Sequence, residues 1–155
     1  ASADLVIDTS SLTVHQLGSR ITHAYGEARD RTLRVAILSF GFKRGLPIDA
    51  DLVFDVRFLP NPHWVPELRP MTGLSEPVSS YVLGQPGAAE YLDQLEGLVA
   101  SMSPGYLREG KRQVTIAVGG TGGKHRSTAM SEELARRLRG NGHAVTVIHR
   151  DLGLE

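Results

Sequence analysis

The chain has 155 residues, enough for one domain with a hydrophobic core, and it contains no cysteine. Disulfides, thiolate metal sites and a cysteine nucleophile are therefore excluded. The 17 basic and 17 acidic residues leave no net charge with the histidines neutral, whereas nucleic-acid-binding chains normally carry excess basic residues. No apolar run reaches the roughly 20 residues that span a bilayer, and no signal peptide is recognisable. We therefore expect a cytoplasmic protein without a membrane partner.

Strands and helices alternate along the predicted elements. Apolar, β-branched runs predict strands at 5–7, 33–38, 52–56, 114–118 and 144–148. Apolar spacing predicts helices over 12–21, from Pro86 to a stop at Pro104-Gly105, and over 127–139. This order is typical of an α/β fold with a mainly parallel sheet flanked by helices. Ligands bind such sheets at the carboxyl ends of the strands, so we expect the loops 39–45, 57–73 and 119–126 to converge.

Four glycines within five residues follow the predicted strand at 114–118. The segment Gly119-Gly-Thr-Gly-Gly123 leads through Lys124-His125-Arg126 into a helical pattern. Glycines let backbone N–H groups turn toward a ligand, and a helix N-terminus adds positive potential. The pattern predicts an anion-binding loop. The alternative is a tight strand-to-helix turn whose cations are only solvated.

Spacing excludes the familiar motifs for this loop. A Walker A motif aligned on its Gly-Lys pair would need glycine at Val118 and serine or threonine at His125. A dinucleotide fingerprint starting at Gly120 would also need glycine at His125. Gly120 and Arg126 have the separation of the cysteine and arginine in tyrosine phosphatase loops, but glycine supplies no nucleophile.

A second candidate segment is the loop 58–73, whose four prolines disfavour helix and central strand. Its stiffness would position His63, Trp64 and Arg69 at low entropic cost, although a lone histidine is more often structural. Asp55 either forms an ion pair with Arg57 or accepts hydrogen bonds from a ligand. The aspartates at 49, 51 and 55 do not form an EF-hand pattern, and we expect no metal.

Basic residues form two further clusters. Arg136, Arg137 and Arg139 fall in the last turn of a predicted helix, where they favour the helix dipole. Together with Arg108, Lys111 and Arg112 they would form a basic face for RNA.

Four motifs together resemble the C-terminal domain of the RapZ/YvcJ family of bacterial nucleotide-binding proteins. They are Ser39-Phe-Gly-Phe-Lys43, Asp55-Val-Arg-Phe-Leu-Pro-Asn-Pro-His-Trp64, Leu68-Arg-Pro-Met-Thr-Gly73 and Thr121-Gly-Gly-Lys-His-Arg-Ser127. The resemblance implies a fold similar to a phosphofructokinase subdomain. It divides the chain into residues 1–30, the tail of a missing N-terminal P-loop domain plus linker, and residues 31–155, a C-terminal ligand-sensing domain.

The resemblance also implies a function. Family members resemble ATPases and GTPases through the missing domain, so this fragment is expected to be no enzyme and to hold no cofactor itself, with ATP or GTP bound only in that domain. Enterobacterial members sense glucosamine-6-phosphate, bind a regulatory RNA and recruit a ribonuclease. We therefore expect a phosphorylated amino sugar as ligand; the alternative is an RNA-binding adaptor that recruits a protein partner. A homo-oligomer is also expected.

The loop and the resemblance together predict the ligand-binding residues. They are Asp55, His63, Arg69, Gly120, Thr121, Gly122, Gly123, Lys124, His125 and Arg126. Many family members have cysteine where this chain has Gly120, and enterobacterial members end in a lysine-rich tail that is not found here. The second difference weakens the expectation of RNA binding.

Overall fold

The computed structural model describes residues 32–154. The strands in this range are β1 (Arg34–Gly41), β2 (Leu52–Asp55), β3 (Gln113–Gly120) and β4 (Val145–His149). The helices are α1 (Glu76–Leu83), α2 (Ala88–Arg108) and α3 (Arg126–Gly140), with 3₁₀ turns at Phe42–Arg44 and Pro62–Trp64. The predicted strand at 5–7 and helix over 12–21 lie outside the described residues.

The four strands form one parallel sheet in the order β2-β3-β1-β4. Three helices flank it, which confirms the predicted α/β class. The register places Gly41 opposite Gly120 and Asp55 opposite Gly119, so these strands end at one edge of the sheet. The three predicted loops leave from that edge.

The core lies between one face of the sheet and the helices. Val35 and Ile37 of β1 are paired with Val114 and Ile116 of β3, and all four are at most 2% exposed. Helix α3 packs against β1, β3 and β4 and adds Leu134 to the core. Because α3 begins directly after the glycine loop, its packing fixes the position of that loop against the sheet.

Two helical features differ from the sequence-based expectation. The predicted stop at Pro104-Gly105 is wrong, because α2 continues to Arg108. Pro104 removes the N–H that would bond the Ala100 carbonyl, but both residues are exposed, so water can solvate that carbonyl. Tyr106, two residues later, still packs against the core. The short helix α1, which buries Val78 and Val82, was not predicted at all.

Between residues 32 and 154, no helix combines the length and the apolar composition needed to cross a bilayer.

Candidate functional site: a cationic cavity at the carboxyl edge of the sheet

The three loops at the carboxyl edge converge, as the strand order predicts. The Lys43 N–H donates to the Thr121 carbonyl at 3.2 Å, and the Gly73 N–H donates to the Lys124 carbonyl at 2.8 Å. Gly41 approaches the glycine loop so closely that a Cβ there would lie 2.4 Å from the carbonyl carbon of Gly122. Backbone contacts therefore hold the three loops together.

Where they meet, the loops enclose a cavity of about 540 Å³. This volume falls within the usual range for small-molecule sites, roughly 300–1,000 Å³. The lining residues are Lys43, Asn61, His63, Trp64, Arg69 and the whole segment from Gly120 to Ser127. Among residues 32–154, the lining includes four cationic side chains, those of Lys43, Arg69, Lys124 and Arg126, and no carboxylate.

The turn of the glycine loop depends on Gly123, which has a φ of +86°. A side chain there would be strained in the backbone, and its Cβ would lie 3.0 Å from the Asp151 Cβ. The buried Asp151 carboxylate also accepts a 2.7 Å hydrogen bond from the Gly41 N–H. Hydrogen bonds from Arg150 are the largest of the effects that lower the pKa of Asp151. The anionic side chain of Asp151 thus contacts both Gly41 and Gly123 and stabilises the loops that form the cavity.

Arg126 has a structural role within the site. Its Nη1 donates to the carbonyls of Arg57 and Leu59, both at 2.9 Å, and its Nη2 donates to Thr121 Oγ1 at 2.9 Å. The side chain is 7% exposed, and burial lowers its pKa. Arg126 therefore joins the proline-rich loop to the glycine loop and also contributes charge to the cavity.

His125 joins the same two loops at another point. Its Nε2–H donates to the Arg69 carbonyl at 3.1 Å, while the Arg69 Nε donates to the His63 carbonyl at 2.6 Å. Burial, opposed mainly by the hydrogen bond to Arg69, lowers the pKa of His125 below the ordinary histidine value. The ring is therefore neutral near pH 7 and acts as a hydrogen-bond donor.

The rim carries the most exposed members of the lining. Trp64 is 74% exposed, and its ring lies edge-on to that of His63 with centroids 5.0 Å apart. The Asn61 side chain accepts a 3.0 Å hydrogen bond from the His63 N–H, which fixes the 3₁₀ turn. The prolines and this turn thus present an aromatic ring and an imidazole beside the cationic loop.

Asp55 lies outside the cavity lining. Its carboxylate forms a bidentate pair with Arg57, at 2.7 Å to Nη2 and 3.0 Å to Nε, as one of the two alternatives predicted. Hydrogen bonds from the Arg57 side chain are the main cause of its lowered pKa, and Arg126 contributes a smaller electrostatic part. Nine of the ten predicted ligand-binding residues, all except Asp55, line the cavity.

Comparison with known proteins gives the family. Residues 33–153 match the model of the RapZ C-terminal domain. The chain belongs to this family.

Its curated relatives are about twice as long. Proteins named nucleotide-binding protein from Cutibacterium acnes and Streptomyces coelicolor are 66% and 62% identical to it, over 100% and 99% of this chain but 53% and 51% of their own length. A third, from Rhodococcus jostii, is 64% identical over all of this chain and 51% of its own length. The RapZ-family chain thus spans about half the length of the curated relatives it matches.

Four residues that line the cavity of this RapZ-family domain were not among the ten predicted ligand-binding residues, although the sequence had already singled out Trp64 in the proline-rich loop: Lys43, Asn61, Trp64 and Ser127. Lys43 lies two residues beyond the end of β1, so the rule that ligands gather at carboxyl ends of strands could have identified it. Within residues 32–154, no three metal-ligating side chains are grouped together.

Proposed function

We propose that this domain binds a phosphorylated amino sugar of the glucosamine-6-phosphate class in the cationic cavity. The observation that carries the proposal is the lining itself, which in the described part of the chain has four cationic side chains, no carboxylate and a helix N-terminus at the end of the glycine loop. Fixed N–H groups and guanidinium or ammonium groups favour phosphate oxygens, because charge-assisted hydrogen bonds are stronger than neutral ones.

The residues at the rim of the cavity favour a sugar as the rest of the ligand. Trp64 offers an exposed ring against which an apolar sugar face can pack, and the His63 imidazole can bond a hydroxyl. Asp55, at the end of β2 and outside the lining, would have to exchange its pair with Arg57 for the ammonium group of an amino sugar. In this proposal the phosphate sits on the glycine loop and the amino group points toward β2.

Nucleotides are the competing ligands, since the relatives are named nucleotide-binding proteins. The glycine loop of this chain lacks the Walker A spacing. We propose that the relatives bind ATP or GTP through the part of their length that this chain does not span.

Calorimetric titration with glucosamine-6-phosphate, unphosphorylated glucosamine and ATP tests the proposal. We expect binding of the sugar phosphate only.

The variant Lys124→Ala removes a half-buried cation of the lining that makes no ion pair within residues 32–154. Loss of one charge-assisted contact costs about 1.5–3 kcal/mol, so its Kd should rise at least about 10-fold. Lys111→Ala is the matched control, since Lys111 pairs with Asp51 away from the cavity. Equal binding of phosphorylated and unphosphorylated sugar would overturn the proposal.

A further inference from the structure

A second cavity lies at the opposite edge of the sheet, where the strands begin. It is an open cavity of about 620 Å³, a volume within the usual range for small-molecule sites. Its walls are the C-terminal half of α2 and the residues just before β1, β3 and β4. Strand β1 alone is about 26 Å long at the usual rise per residue. The second cavity therefore shares no residue with the cationic cavity at the carboxyl edge.

The second cavity has an aliphatic floor. Leu33, Pro104 and Leu107 line it, and Leu33 is 1% exposed. Among residues 32–154, no phenylalanine, tyrosine or tryptophan lines this cavity. Nucleobases in single strands bind by stacking on such rings. The floor therefore favours an aliphatic group over a base.

Two arginines line the same cavity. The Arg108 side chain makes no hydrogen bond or ion pair within residues 32–154, and Arg112 donates one long hydrogen bond, from Nη1 to the Leu107 carbonyl at 3.4 Å. Lys111 differs, because its ammonium group pairs with Asp51 at 3.1 Å. No carboxylate of the described residues lines the cavity. Both guanidinium groups are therefore available to an anion, and their planar shape matches a carboxylate.

A backbone acceptor also faces this cavity. Pro104 has no N–H, so the Ala100 carbonyl, one turn earlier in α2, lacks its usual donor, and both residues line the cavity. The opposite wall is fixed by His143, whose Nδ1–H donates to the Leu33 carbonyl at 2.6 Å. A ligand that carries an O–H group as well as an anionic group fits this lining.

We propose that the second cavity binds a small aliphatic hydroxycarboxylate. The carboxylate pairs with the guanidinium groups of Arg108 and Arg112, and the hydroxyl donates to the Ala100 carbonyl. The alkyl group packs on the aliphatic floor. This site is independent of the proposed sugar-phosphate site. RNA, the other anion considered for this basic region, matches the concave aliphatic floor less well.

Titration with 2-hydroxy-4-methylpentanoate, followed by ¹H–¹⁵N correlation spectra of the chain, tests the assignment. We expect signals from residues 100–112 and 141–143 to shift, and saturating glucosamine-6-phosphate to leave the Kd unchanged. The uncharged amide of the same acid should bind at least about 10-fold more weakly, because the charge-assisted contacts are lost.

Arg108→Gln removes one of these contacts from the protein side. Its Kd for the acid should rise about 10-fold. Arg136→Gln is the matched control, because Arg136 is an exposed arginine that pairs with Glu133 on α3 and does not line the cavity. We expect the Kd of this control to stay within 2-fold of the unchanged chain.

Pro104→Ala separates the role of the acceptor from stability. The substitution supplies the N–H that bonds the Ala100 carbonyl and removes a proline from a helix interior. The variant should therefore melt no lower than the unchanged chain while its Kd for the acid rises. Gly97→Ala, also in α2 and with nothing within 4 Å of the new Cβ, should melt higher with the Kd unchanged.

Several results would overturn this assignment. They are no binding of the acid, equal binding of the acid and its amide, and an unchanged Kd in both Arg108→Gln and Pro104→Ala. Inorganic phosphate that binds as tightly as the acid would make this a plain anion site. Binding of an RNA oligonucleotide that Arg108→Gln weakens, without binding of the acid, would make it an RNA surface. Competition from glucosamine-6-phosphate would place both ligands in the cationic cavity.

Discussion

Single side chains in this cavity combine support of the loops with a place in the cavity lining. Arg126 donates to two backbone carbonyls and a threonine hydroxyl, so its removal would leave buried acceptors unpaired. A binding defect in Arg126→Ala would therefore mix loss of the loop junction with loss of charge. Lys124 and Ser127 are more informative positions, because neither side chain makes a hydrogen bond or ion pair within residues 32–154.

His125 makes the stability of the domain sensitive to mildly acidic pH. Burial lowers its pKa in the folded state, so below about pH 6.5 the unfolded chain takes up a proton that the folded chain resists. The free energy of unfolding should therefore decrease as pH falls from 7 toward 5. His125→Gln, which can keep the donor to the Arg69 carbonyl, should flatten this dependence.

Urea unfolding followed by circular dichroism at pH 7, 6 and 5 measures the effect. His63→Gln is the control, because it makes the same substitution at an exposed position on the rim. An identical pH dependence in His125→Gln and the unchanged chain would contradict the assignment.

At the scale of elements, the proline-rich loop meets α3 through a backbone contact that tolerates no side chain. A Cβ at Gly73 would lie 2.4 Å from the His125 carbonyl oxygen and 2.5 Å from the Ala129 nitrogen. Both obstacles are backbone atoms, so the loop itself must move. Gly73→Ala should therefore lower the free energy of unfolding by about 3 kcal/mol and weaken phosphate binding.

The α2 residue Gly97 provides the matched comparison. In a helix interior with open space around the new Cβ, Gly→Ala should increase stability by about 0.5–1 kcal/mol. Thermal and urea unfolding of the two variants measures both effects. Equal stability of Gly73→Ala and Gly97→Ala would show that the loop is not held against α3.

The sequence predicts the main elements of this sheet because their apolar patterns are strong. β3 and β4 lie within two residues of the predicted runs, β1 ends three residues beyond its predicted run, and β3 extends into the glycines through Gly120. The convergence of the three loops follows from parallel strands alone. The eight-residue helix α1 was missed, because its two buried valines are too few to reveal a helical spacing in the sequence.

Tertiary packing decides the features that the sequence does not reveal. Pro104 lies in a helix that continues because Tyr106 packs beyond it. The buried, unpaired state of Ser127 depends on how α3 sits against Gly120, which no local pattern encodes. The bidentate pairing of Asp55 with Arg57 was one of two open alternatives, and only the folded geometry distinguishes them.

For the whole molecule, charge distribution matters more than net charge. Arg137 of α3 bridges to Asp93 and Glu96 of α2 and to Glu133. Burial alone would lower its pKa, but hydrogen bonds to these three carboxylates outweigh burial and raise it. These pairs use part of the basic surface considered for RNA, whereas Lys43 and Lys124 make no ion pair within residues 32–154. A neutral chain thus has a locally positive cavity, and RNA binding stays a prediction.

Ligand binding to this positive cavity should stabilise the whole domain. A ligand that binds only the folded state at 100 times its Kd adds about 2.7 kcal/mol, so glucosamine-6-phosphate should raise the Tm of the chain by several degrees. The shift should shrink as monovalent salt increases, because the exposed part of the site is screened. Differential scanning fluorimetry at two salt concentrations measures this shift in Tm.

Lys124→Ala should lose most of the shift in Tm, and Lys111→Ala should keep it. An equal shift with unphosphorylated glucosamine would show that the stabilisation does not depend on the phosphate.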